Sequence, residues 1–300
     1  MDCDWRRRFG EVLPHARFDE PLARHTTFKI GGPADVFLDA RNGGEVLAAL
    51  RLAREARAPV FVLGWGSNLL VKDRGMRGLV LRLTGDFEVV EFLGGFAVRS
   101  GAAVRMPQLA VACAKMSLSG LEPLAGVPGT VGGAVAMNAG TRDGEIGPLV
   151  TEVSAVGAAE ASARVIPRSD LRFSYRESSL KDVVILSATL QLKTADKGDI
   201  MTVVARNQQK RLKTQPIHTY NVGSIFKNPP GRFAAQMIEE LGLKGHAVAG
   251  ARVSPMHANF IENFAEAKAS DVLALVNLIR ERVRAAFGVD LELEMRIVGE

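Results

Sequence analysis

The segment that most constrains this chain covers residues 126–140 and reads GVPGTVGGAVAMNAG, without a charged residue. Because each glycine in a helix interior costs roughly 1 kcal/mol, its composition predicts that the segment is not an ordinary helix. Backbone that lacks Cβ atoms can come very close to a flat ring or an anion. The segment therefore predicts contact with a nucleotide cofactor. The alternative is a glycine-rich loop that packs against its own domain.

A second glycine cluster, GWGSN at residues 64–68, ends the apolar run 59–63, which predicts a buried strand. Leu69 stands where a third glycine would complete the dinucleotide-binding fingerprint, and the chain has no Walker A lysine. These two differences disfavour the Rossmann and P-loop folds. The backbone N–H groups of such a turn, together with Ser67 and Asn68, form an arrangement suited to a pyrophosphate. A tight turn stabilised by Ser67 and Asn68 explains the pattern equally well.

Composition restricts the class of protein. With 300 residues, 47% hydrophobic and 24% charged, the chain has enough apolar residues for one large domain or two to three small ones. It contains no long uncharged apolar run, and its charged N-terminus lacks a signal-peptide core, so we expect a cytoplasmic protein. A net charge of +5 with 6% aromatic residues argues against nucleic-acid binding and suits small anionic ligands. Cys3 and Cys113 are expected to be free thiols.

Apolar spacing and turn signals predict a chain in which helices and strands alternate, with boundaries near residue 80 and residues 200–205. Predicted helices cover residues 44–58, 107–119, 199–213, 232–241 and 270–287. Predicted strands cover residues 59–64, 79–83, 87–93, 96–99, 150–156, 163–167, 183–192 and 291–298.

Two polar segments are candidates for a binding site. In the first, residues 173–178, Arg176 stands between an aromatic residue and an acid, a pattern that usually forms a surface ion pair. The second, GSIFKNPP at residues 223–230, combines Ser, Lys and Asn with a rigid Pro-Pro end. It predicts either a substrate pocket or a loop that leads into the next helix.

Two further segments carry polar residues in apolar surroundings. His257 and Asn259 interrupt an apolar run, where a hydrogen-bonded core histidine is the default interpretation. No second histidine stands at ligand spacing, so we expect no metal site. Glu292, Glu294 and Arg296 alternate along a predicted strand and share one face. Such a face is usually solvated, and a carboxylate directed into a pocket is the minority alternative.

Taken together and in order, these segments resemble the flavin-dependent UDP-N-acetylenolpyruvoylglucosamine reductase (MurB) family of peptidoglycan synthesis. The matching segments are Thr26–Ala34, Gly64–Asn68, Gly126–Gly140, Tyr175–Ser178, Gly223–Pro229, His257–Asn263 and Leu293–Gly299. The chain lacks the insertion that closes over substrate in longer members, so it resembles the short, type II members.

The resemblance implies an α+β fold with a two-part FAD-binding domain of the vanillyl-alcohol-oxidase (PCMH) type and a C-terminal α+β substrate-binding domain. It implies a first FAD-binding subdomain at residues 1–80, joined by a C-terminal strand at 290–300, and a second at residues 81–203. The UDP-sugar domain is then residues 204–289. The implied protein is a cytoplasmic monomer that binds neither nucleic acid nor a membrane.

The resemblance also implies a reaction, the NADPH-dependent and FAD-mediated reduction of UDP-N-acetylglucosamine enolpyruvate to UDP-N-acetylmuramate. Hydride adds to the vinyl CH2, and the charge that develops on the neighbouring carbon spreads into the carboxylate as an enolate. By match, Arg176 and Glu294 flank this group, with Glu294 as a neutral acid in a dry site, and Ser224 donates the proton. Lys227 is a candidate for making Ser224 a better acid.

The residues implied for ligand binding carry over position by position. For FAD they are Gly64, Gly66, Ser67, Asn68, Gly126, Gly129, Thr130, Gly132, Gly133, Ala134, Asn138, Arg211 and Arg296. For the UDP-sugar they are Tyr175, Lys227, Asn228 and His257. The chain departs from the family pattern at Trp65, where a small residue is common, and at residues 141–143, where Thr-Arg-Asp replaces the more usual Ala-Tyr-Gly.

Two other functions are alternatives. A different FAD-linked oxidase or dehydrogenase of the same cofactor fold would keep the glycine clusters, but it would not need Ser224 or Glu294. A nucleotide-sugar binder that has lost its flavin would need neither glycine cluster.

Overall fold

The structure is a computed structural model that describes residues 3–157, 160 and 162–300. Contacts within the chain divide it into two units. The first unit comprises Met1–Phe18, Asp35–Trp65 and Gly78–Lys210, and the second comprises Asp19–Ala34, Gly66–Arg77 and Arg211–Glu300. Each unit has its own hydrophobic core. The three domain boundaries expected from the sequence stay a prediction.

The helices lie in both units and differ greatly in length. In chain order, α1 to α7 are Cys3–Val12, Gly43–Glu55, Met106–Lys115, Val131–Ala136, Lys197–Thr214, Ala234–Glu240 and Ala269–Phe287. Short 3-10 turns cover Leu22–His25, Gly85–Glu88, Glu122–Leu124, Gly147–Leu149 and Arg168–Asp170. Among the helices of the described residues, none is long and apolar enough to cross a membrane.

The strands are mostly short. In chain order, β1 to β20 are Arg17–Pro21, Pro33–Ala40, Val60–Val62, Leu69–Val71, Met76–Leu83, Val90–Phe92, Ala97–Gly101, Leu118–Ser119, Gly140–Thr141, Gly144–Glu145, Val150–Gly157, Arg164–Pro167, Phe173–Ser174, Glu177–Ser178, Val183–Gln191, Lys193–Thr194, Ala247–Val248, Ala251–Val253, Ile261–Asn263 and Arg296–Val298.

The first unit holds an antiparallel five-stranded sheet in the order β12-β11-β15-β7-β6. It also holds the parallel pair β3 and β5, with Val60 opposite Leu79. The second unit holds the antiparallel sheet β17-β18-β19 and the parallel pair β4 and β20, with Leu69 opposite Arg296. Helices and largely antiparallel strands thus build an α+β fold, as the sequence predicts.

Helix α2 shows how local sequence determines where a helix begins. Helix α2 begins after Asn42, whose side chain accepts a hydrogen bond from the Glu45 N–H at 3.0 Å. The Glu45 carboxylate in turn accepts from the Arg41 N–H at 2.8 Å. Capping of this kind satisfies backbone donors that have no partner within the helix. The helix buries Val46 and Leu50 on its apolar face, as predicted.

Residues 126–140 do not form one helix, as predicted, but residues 131–136 within this segment form the short helix α4. Thr130 caps this helix by accepting from the Gly133 N–H at 3.3 Å. The Val131 and Gly132 N–H groups donate to the carbonyls of Val104 and Ala102, at 2.8 and 2.9 Å. These bonds to a distant part of the chain offset the poor helix propensity of glycine.

Three predicted element boundaries are also wrong. The predicted strand 87–93 begins as the 3-10 turn Gly85–Glu88 and is extended only over Val90–Phe92. The helix predicted to reach residue 119 ends at Lys115, because Ser117 adopts a left-handed φ of 59°. The predicted strand 291–298 is regular only over Arg296–Val298.

Cys113 is free and buried in the first unit. Burial, with a smaller effect of the Glu122 charge, raises the pKa of its thiol to about 12, so this thiol is inert at neutral pH. The side chain of Cys3 lies outside the part of the chain that the structure describes.

Helix α7 depends on a carboxylate from another segment of the second unit. Its first N–H groups, those of Ala269 and Ser270, donate to the Asp73 carboxylate oxygens at 2.7 and 3.1 Å. The helix buries one apolar face, which includes Val276 and Ile279, and ends at Gly288 with a left-handed φ of 66°. An Asp at this end of a helix satisfies two backbone donors and complements the helix dipole.

Asp73→Ala is therefore expected to lower the free energy of unfolding by about 1–2 kcal/mol, as loss of a helix cap does. Urea unfolding followed by circular dichroism measures this change. Asp290→Ala is the matched control, because its carboxylate is 71% exposed and lies 3.6 Å from Arg284. An exposed pair of this kind contributes about 0–1 kcal/mol. Equal effects of the two substitutions would contradict the capping role of Asp73.

Candidate functional site

Gly64 and Thr130 bring the two glycine clusters together in the first unit. A Cβ atom added to Gly64 would lie 2.8 Å from Thr130 Oγ1, closer than real Cβ contacts allow. A Cβ at Gly132 would lie 2.9 Å from the Ala102 Cβ. Both glycines are therefore required by contacts within the protein itself. The two clusters, 66 positions apart at Gly64 and Thr130, form one wall as the sequence suggested.

This wall fits a flat or anionic cofactor such as FAD. Gly133 is exposed, and its Cβ position meets only Thr130 Oγ1, at ordinary contact distance. Gly126 and Gly129 are half-buried, whereas Thr130 and Ala134 are buried. Because the whole segment is uncharged, its backbone can approach a phosphate or a ring without repulsion from a carboxylate.

Asn138, which the sequence assigns to the cofactor, makes its hydrogen bonds within the protein. Its side-chain N–H groups donate to Glu145 Oε2 and to the Ser174 carbonyl, both at 2.8 Å. Its Oδ1 accepts from the Gly147 N–H at 3.0 Å. Asn138 is 1% exposed and has a left-handed φ of 42°. This amide ties the end of the glycine-rich segment to the hairpin at residues 173–178.

That hairpin carries Tyr175 and Arg176 at its turn, between β13 and β14. Arg176 has a left-handed φ of 61°, a conformation that non-glycine residues adopt rarely and at some cost. Its guanidinium carbon lies 4.9 Å from the centre of the Tyr175 ring. Ser178 anchors the hairpin through a 2.8 Å hydrogen bond to the Ala136 carbonyl. Arg176 therefore lies at the strained turn of a hairpin that is hydrogen-bonded to the end of α4 through Ser178.

In the second unit, Asn68 lies beside Glu294 and Arg296. Its side-chain amide donates to the Glu294 carbonyl at 3.0 Å, and its own carbonyl accepts from the Arg296 N–H at 3.1 Å. Gly66 has a φ of 66°, and a Cβ there would overlap the His25 carbonyl. The turn at Gly66–Asn68 is therefore packed against its own unit, and Asn68 links it to the segment of Glu294.

Ser224 lies at the start of a segment that two other segments of the second unit hold on either side. The Ile225 carbonyl accepts from the Glu294 N–H at 2.8 Å, and the Ile225 N–H donates to the Asn259 carbonyl at 2.9 Å. The buried Asn259 amide also pairs with the Phe226 backbone, accepting from its N–H at 3.0 Å and donating to its carbonyl at 2.8 Å. Ser224 and Glu294 are thus held as near neighbours by backbone bonds.

Ser224 opens onto a cavity of about 630 Å³ in the second unit. Its lining residues are Ser224, Asn228, Phe233, Ala235, Gln236, Glu239, Glu240, His257 and Asn259. Three residues from the sequence prediction, Ser224, Asn228 and His257, therefore share one cavity. Its volume is in the range of pockets that bind small molecules.

His257 lines this cavity as a neutral imidazole. Burial lowers its pKa below the usual value, and the positive charge of Lys244 acts in the same direction. Its Nδ1 accepts from the Asn259 N–H at 3.3 Å, and its ring packs edge-on against Phe260 at 4.7 Å. His257 is hydrogen-bonded, as the default interpretation of a core histidine expects, but it is half-buried and borders a cavity instead of lying in the core.

The remaining predicted residues occupy different surroundings. Lys227 pairs with Glu292 at 3.2 Å, and Asn228 accepts from the Ala234 N–H at 3.1 Å. Arg211 donates to Gln215 at 2.9 Å, and burial lowers the pKa of its guanidinium. Within the described residues, no group of three or more His, Cys, Asp or Glu side chains is arranged to hold a metal.

Sequence reasoning missed Asn259 as the residue that fixes the Ser224 segment, and it missed Gln236 and Glu239 in the cavity wall. Asn259 follows His257 by two positions, but its partner Phe226 is 33 positions away. A polar residue within an apolar run was the available signal, and it does not identify the partner. Gln236 and Glu239 lie on α6, and polar residues on a short helix give no sequence signal of a cavity.

Comparisons with known proteins assign both parts of the chain to described families. Residues 34–166 match the model of an FAD binding domain. Residues 215–298 match the C-terminal domain of UDP-N-acetylenolpyruvoylglucosamine reductase. An FAD-binding domain followed by this C-terminal domain is the fold that the resemblance implied.

Similar proteins match over nearly the whole chain. The chain is 42% identical to UDP-N-acetylenolpyruvoylglucosamine reductase 2 of Symbiobacterium thermophilum, covering 93% of this chain and 91% of that protein. It is also 42% identical to the reductase of Anaeromyxobacter sp. strain Fw109-5, covering 100% and 94%. The crystal structure of the reductase (MurB) from Thermus caldophilus superposes with a TM-score of 0.82 at 37% identity, covering 95% of this chain and 98% of that one.

The bonds of Asn138 predict that this residue stabilises the protein even without a cofactor. Asn138→Ala leaves the buried Gly147 N–H without its partner and removes the hydrogen bonds to Glu145 and Ser174, so we expect a loss of about 2–4 kcal/mol in the free energy of unfolding. Asn138→Gly should lose less, because glycine tolerates the left-handed φ. Urea unfolding of flavin-free protein gives both values.

The control for this prediction is Asn207→Ala, whose half-buried amide makes a single 2.9 Å bond to the Glu122 carbonyl. It should cost about 1 kcal/mol. If Asn138→Ala were no more destabilising than Asn207→Ala, the structural role of Asn138 would be wrong.

Proposed function

The chain belongs to the UDP-N-acetylenolpyruvoylglucosamine reductase family, and we propose that Ser224 at the 630 Å³ cavity delivers the proton that completes its reaction. The protein is an FAD-containing, NADPH-dependent oxidoreductase that converts UDP-N-acetylglucosamine enolpyruvate to UDP-N-acetylmuramate in peptidoglycan precursor synthesis. The observation that carries the proposed site is the fixed position of Ser224, bonded through Ile225 to both Asn259 and Glu294.

The chemistry of the substrate defines what the protein must supply. The substrate carries a C=C bond conjugated with a carboxylate. When bound, FAD would supply a hydride, derived from NADPH, for addition to the vinyl CH2 carbon. The two electrons of the C=C bond then lie on the neighbouring carbon and its carboxylate, as an enolate. The protein must hold this anion and place one proton on that carbon, so that the net change is the addition of two hydrogens.

Arg176 and Glu294 are proposed to stabilise the anion. A guanidinium can donate two parallel hydrogen bonds to a carboxylate, which both binds the substrate and fixes its plane. Glu294 in its protonated form can donate a hydrogen bond to the enolate oxygen, where charge increases during the reaction. The strained backbone at Arg176 and the backbone bond at Glu294 support these roles, since each fixes the backbone from which the side chain extends.

Ser224 is proposed to donate its Oγ proton to the enolate carbon. Serine is a weak acid, but a carbanion next to a carboxylate is a stronger base than a serine alkoxide, so the transfer runs toward carbon. Lys227, three positions further on, is ion-paired with Glu292 at 3.2 Å and supplies a positive charge to the same segment. A nearby cation favours the alkoxide that remains after the transfer.

The cavity is proposed to bind the UDP-sugar through Asn228 and His257, and the family match proposes Lys227 and Tyr175 as further residues for UDP-sugar binding. The neutral imidazole of His257 can both donate and accept, as recognition of sugar hydroxyls or an amide requires. The Glu239 carboxylate is paired with Lys244 at 2.6 Å, which reduces its repulsion of an anionic ligand.

The cofactor residues are proposed as the sequence assigned them. The backbone at Gly64, Gly126, Gly129, Gly132 and Gly133 supports this assignment, because the segments that carry it are uncharged and Gly133 is exposed. Ser67, Asn68, Arg211 and Arg296 are proposed as polar contacts to FAD. We further propose that the enzyme works as a monomer in the cytoplasm.

Ser224→Ala tests the proposed proton donor. The variant should bind FAD and be bleached by NADPH like the wild type. Its reoxidation by UDP-N-acetylglucosamine enolpyruvate should slow by about 10²–10⁴-fold, the usual contribution of a general acid. Anaerobic stopped-flow absorbance measures the two half-reactions separately.

The matched control is Ser270→Ala, which changes an exposed serine of the same unit. It should leave both half-reactions within about twofold of wild type, as surface substitutions away from a site do. If Ser224→Ala reoxidised as fast as this control, the proton would come from another group and the assignment would fail.

A further inference from the structure

Trp65 and Arg105 form a stacked pair at the junction of the two glycine clusters. The Arg105 guanidinium carbon lies 3.6 Å from the centre of the Trp65 ring. Trp65 is 43% exposed, although it stands directly beside Gly64 in the first cluster. Arg105 is half-buried at the N-cap position of α3. Stacking on an aromatic face fixes the plane and direction of a guanidinium.

Arg105 has no counter-ion in the part of the chain that the structure describes. No carboxylate lies within ion-pair distance of it, and its recorded side-chain contact is the Trp65 ring. By contrast, Arg99 in the same unit reaches Glu91 at 3.3 Å and Glu152 at 3.7 Å. A half-buried cation with all its N–H donors available is suited to a partner that is not part of the protein.

The backbone places Arg105 against the second glycine cluster. Arg105 forms an antiparallel β-bridge with Thr130, and the next residue, Met106, donates its N–H to the Gly129 carbonyl at 3.0 Å. Thr130 is also the residue that packs against Gly64. Arg105 therefore places a positive charge beside the glycine-rich segment 126–140, which has no charged residue.

We propose that Arg105, held in place by Trp65, binds a phosphate group of the FAD diphosphate. This inference rests on the proposed function, since it needs FAD as the cofactor. Two parallel N–H groups of a guanidinium match two phosphate oxygens, and the uncharged glycine-rich backbone beside Arg105 does not repel a phosphate. Trp65 is a positioning residue, which explains why a large aromatic side chain stands between two glycines.

Release of FAD from the holoenzyme on dilution tests the proposal, with flavin fluorescence as the readout. Arg105→Met keeps the length of the side chain and removes its charge. We expect it to raise the Kd for FAD by about 10–100-fold, the value of hydrogen bonds to a charged group. The Kd of wild type should also rise more steeply with salt than that of Arg105→Met, because salt screens the charge–phosphate attraction.

A double-mutant cycle tests the role of Trp65. Trp65→Ala should raise the Kd for FAD less than Arg105→Met does. The double variant should bind FAD no more weakly than Arg105→Met alone, because Trp65 acts through Arg105. Additive losses would show that Trp65 contacts the cofactor independently and would overturn its positioning role.

Arg99→Met is the control, since that guanidinium has carboxylate partners and should leave the Kd within about twofold. The melting temperature of the flavin-free protein should be the same for wild type and Arg105→Met, whereas the rise caused by FAD should shrink. An unchanged Kd for FAD in Arg105→Met would overturn the proposal. So would a fall in the melting temperature of the flavin-free variant as large as the fall in the presence of FAD. Wild-type protein that binds no FAD would refute the proposed function as well as this proposal. An unchanged Kd in Arg105→Met would refute this proposal only.

Discussion

The loops that carry the predicted catalytic residues depend on asparagine amides for their backbone hydrogen bonds. Asn259 pairs with both backbone groups of Phe226, and Asn138 bonds the Ser174 carbonyl and the Gly147 N–H. Asn68 donates to the carbonyl of Glu294. Buried backbone groups need partners, and these loops have few neighbours in a regular ladder. A side-chain amide has both a donor and an acceptor, so it can make the hydrogen bonds that a residue of a neighbouring strand would make.

This arrangement gives Ser224 and Glu294 a fixed spacing without placing either inside a long strand. The backbone of Ile225 bonds the Asn259 carbonyl on one side and the Glu294 N–H on the other. Groups held by backbone bonds lose little freedom when a substrate binds, and this favours a single productive geometry. Arg176 is held differently, by a strained turn whose base is bonded to Ala136 and Asn138.

The sequence predicts elements well where the information is local, and less well where partners are distant. Helix α2 shows its cap and apolar stripe within a few residues, whereas α4 forms from glycine-rich sequence because distant carbonyls accept its N–H groups. The family resemblance locates Ser224, Asn228 and His257, which line one cavity. It does not reveal that the Asn138 amide is fully engaged within the protein, because residues 145, 147 and 174 supply its partners.

The proposed reaction requires that the protein carries FAD and that hydride passes from it to the enolpyruvyl sugar. The most direct measurement is the visible absorption spectrum of the purified protein under anaerobic conditions, first with NADPH and then with UDP-N-acetylglucosamine enolpyruvate. The account predicts a bound-flavin spectrum that NADPH bleaches and that the sugar restores. A flavin that is bleached and not restored by this sugar would contradict the substrate. A colourless protein that cannot be reconstituted with FAD would contradict the assignment of both glycine clusters.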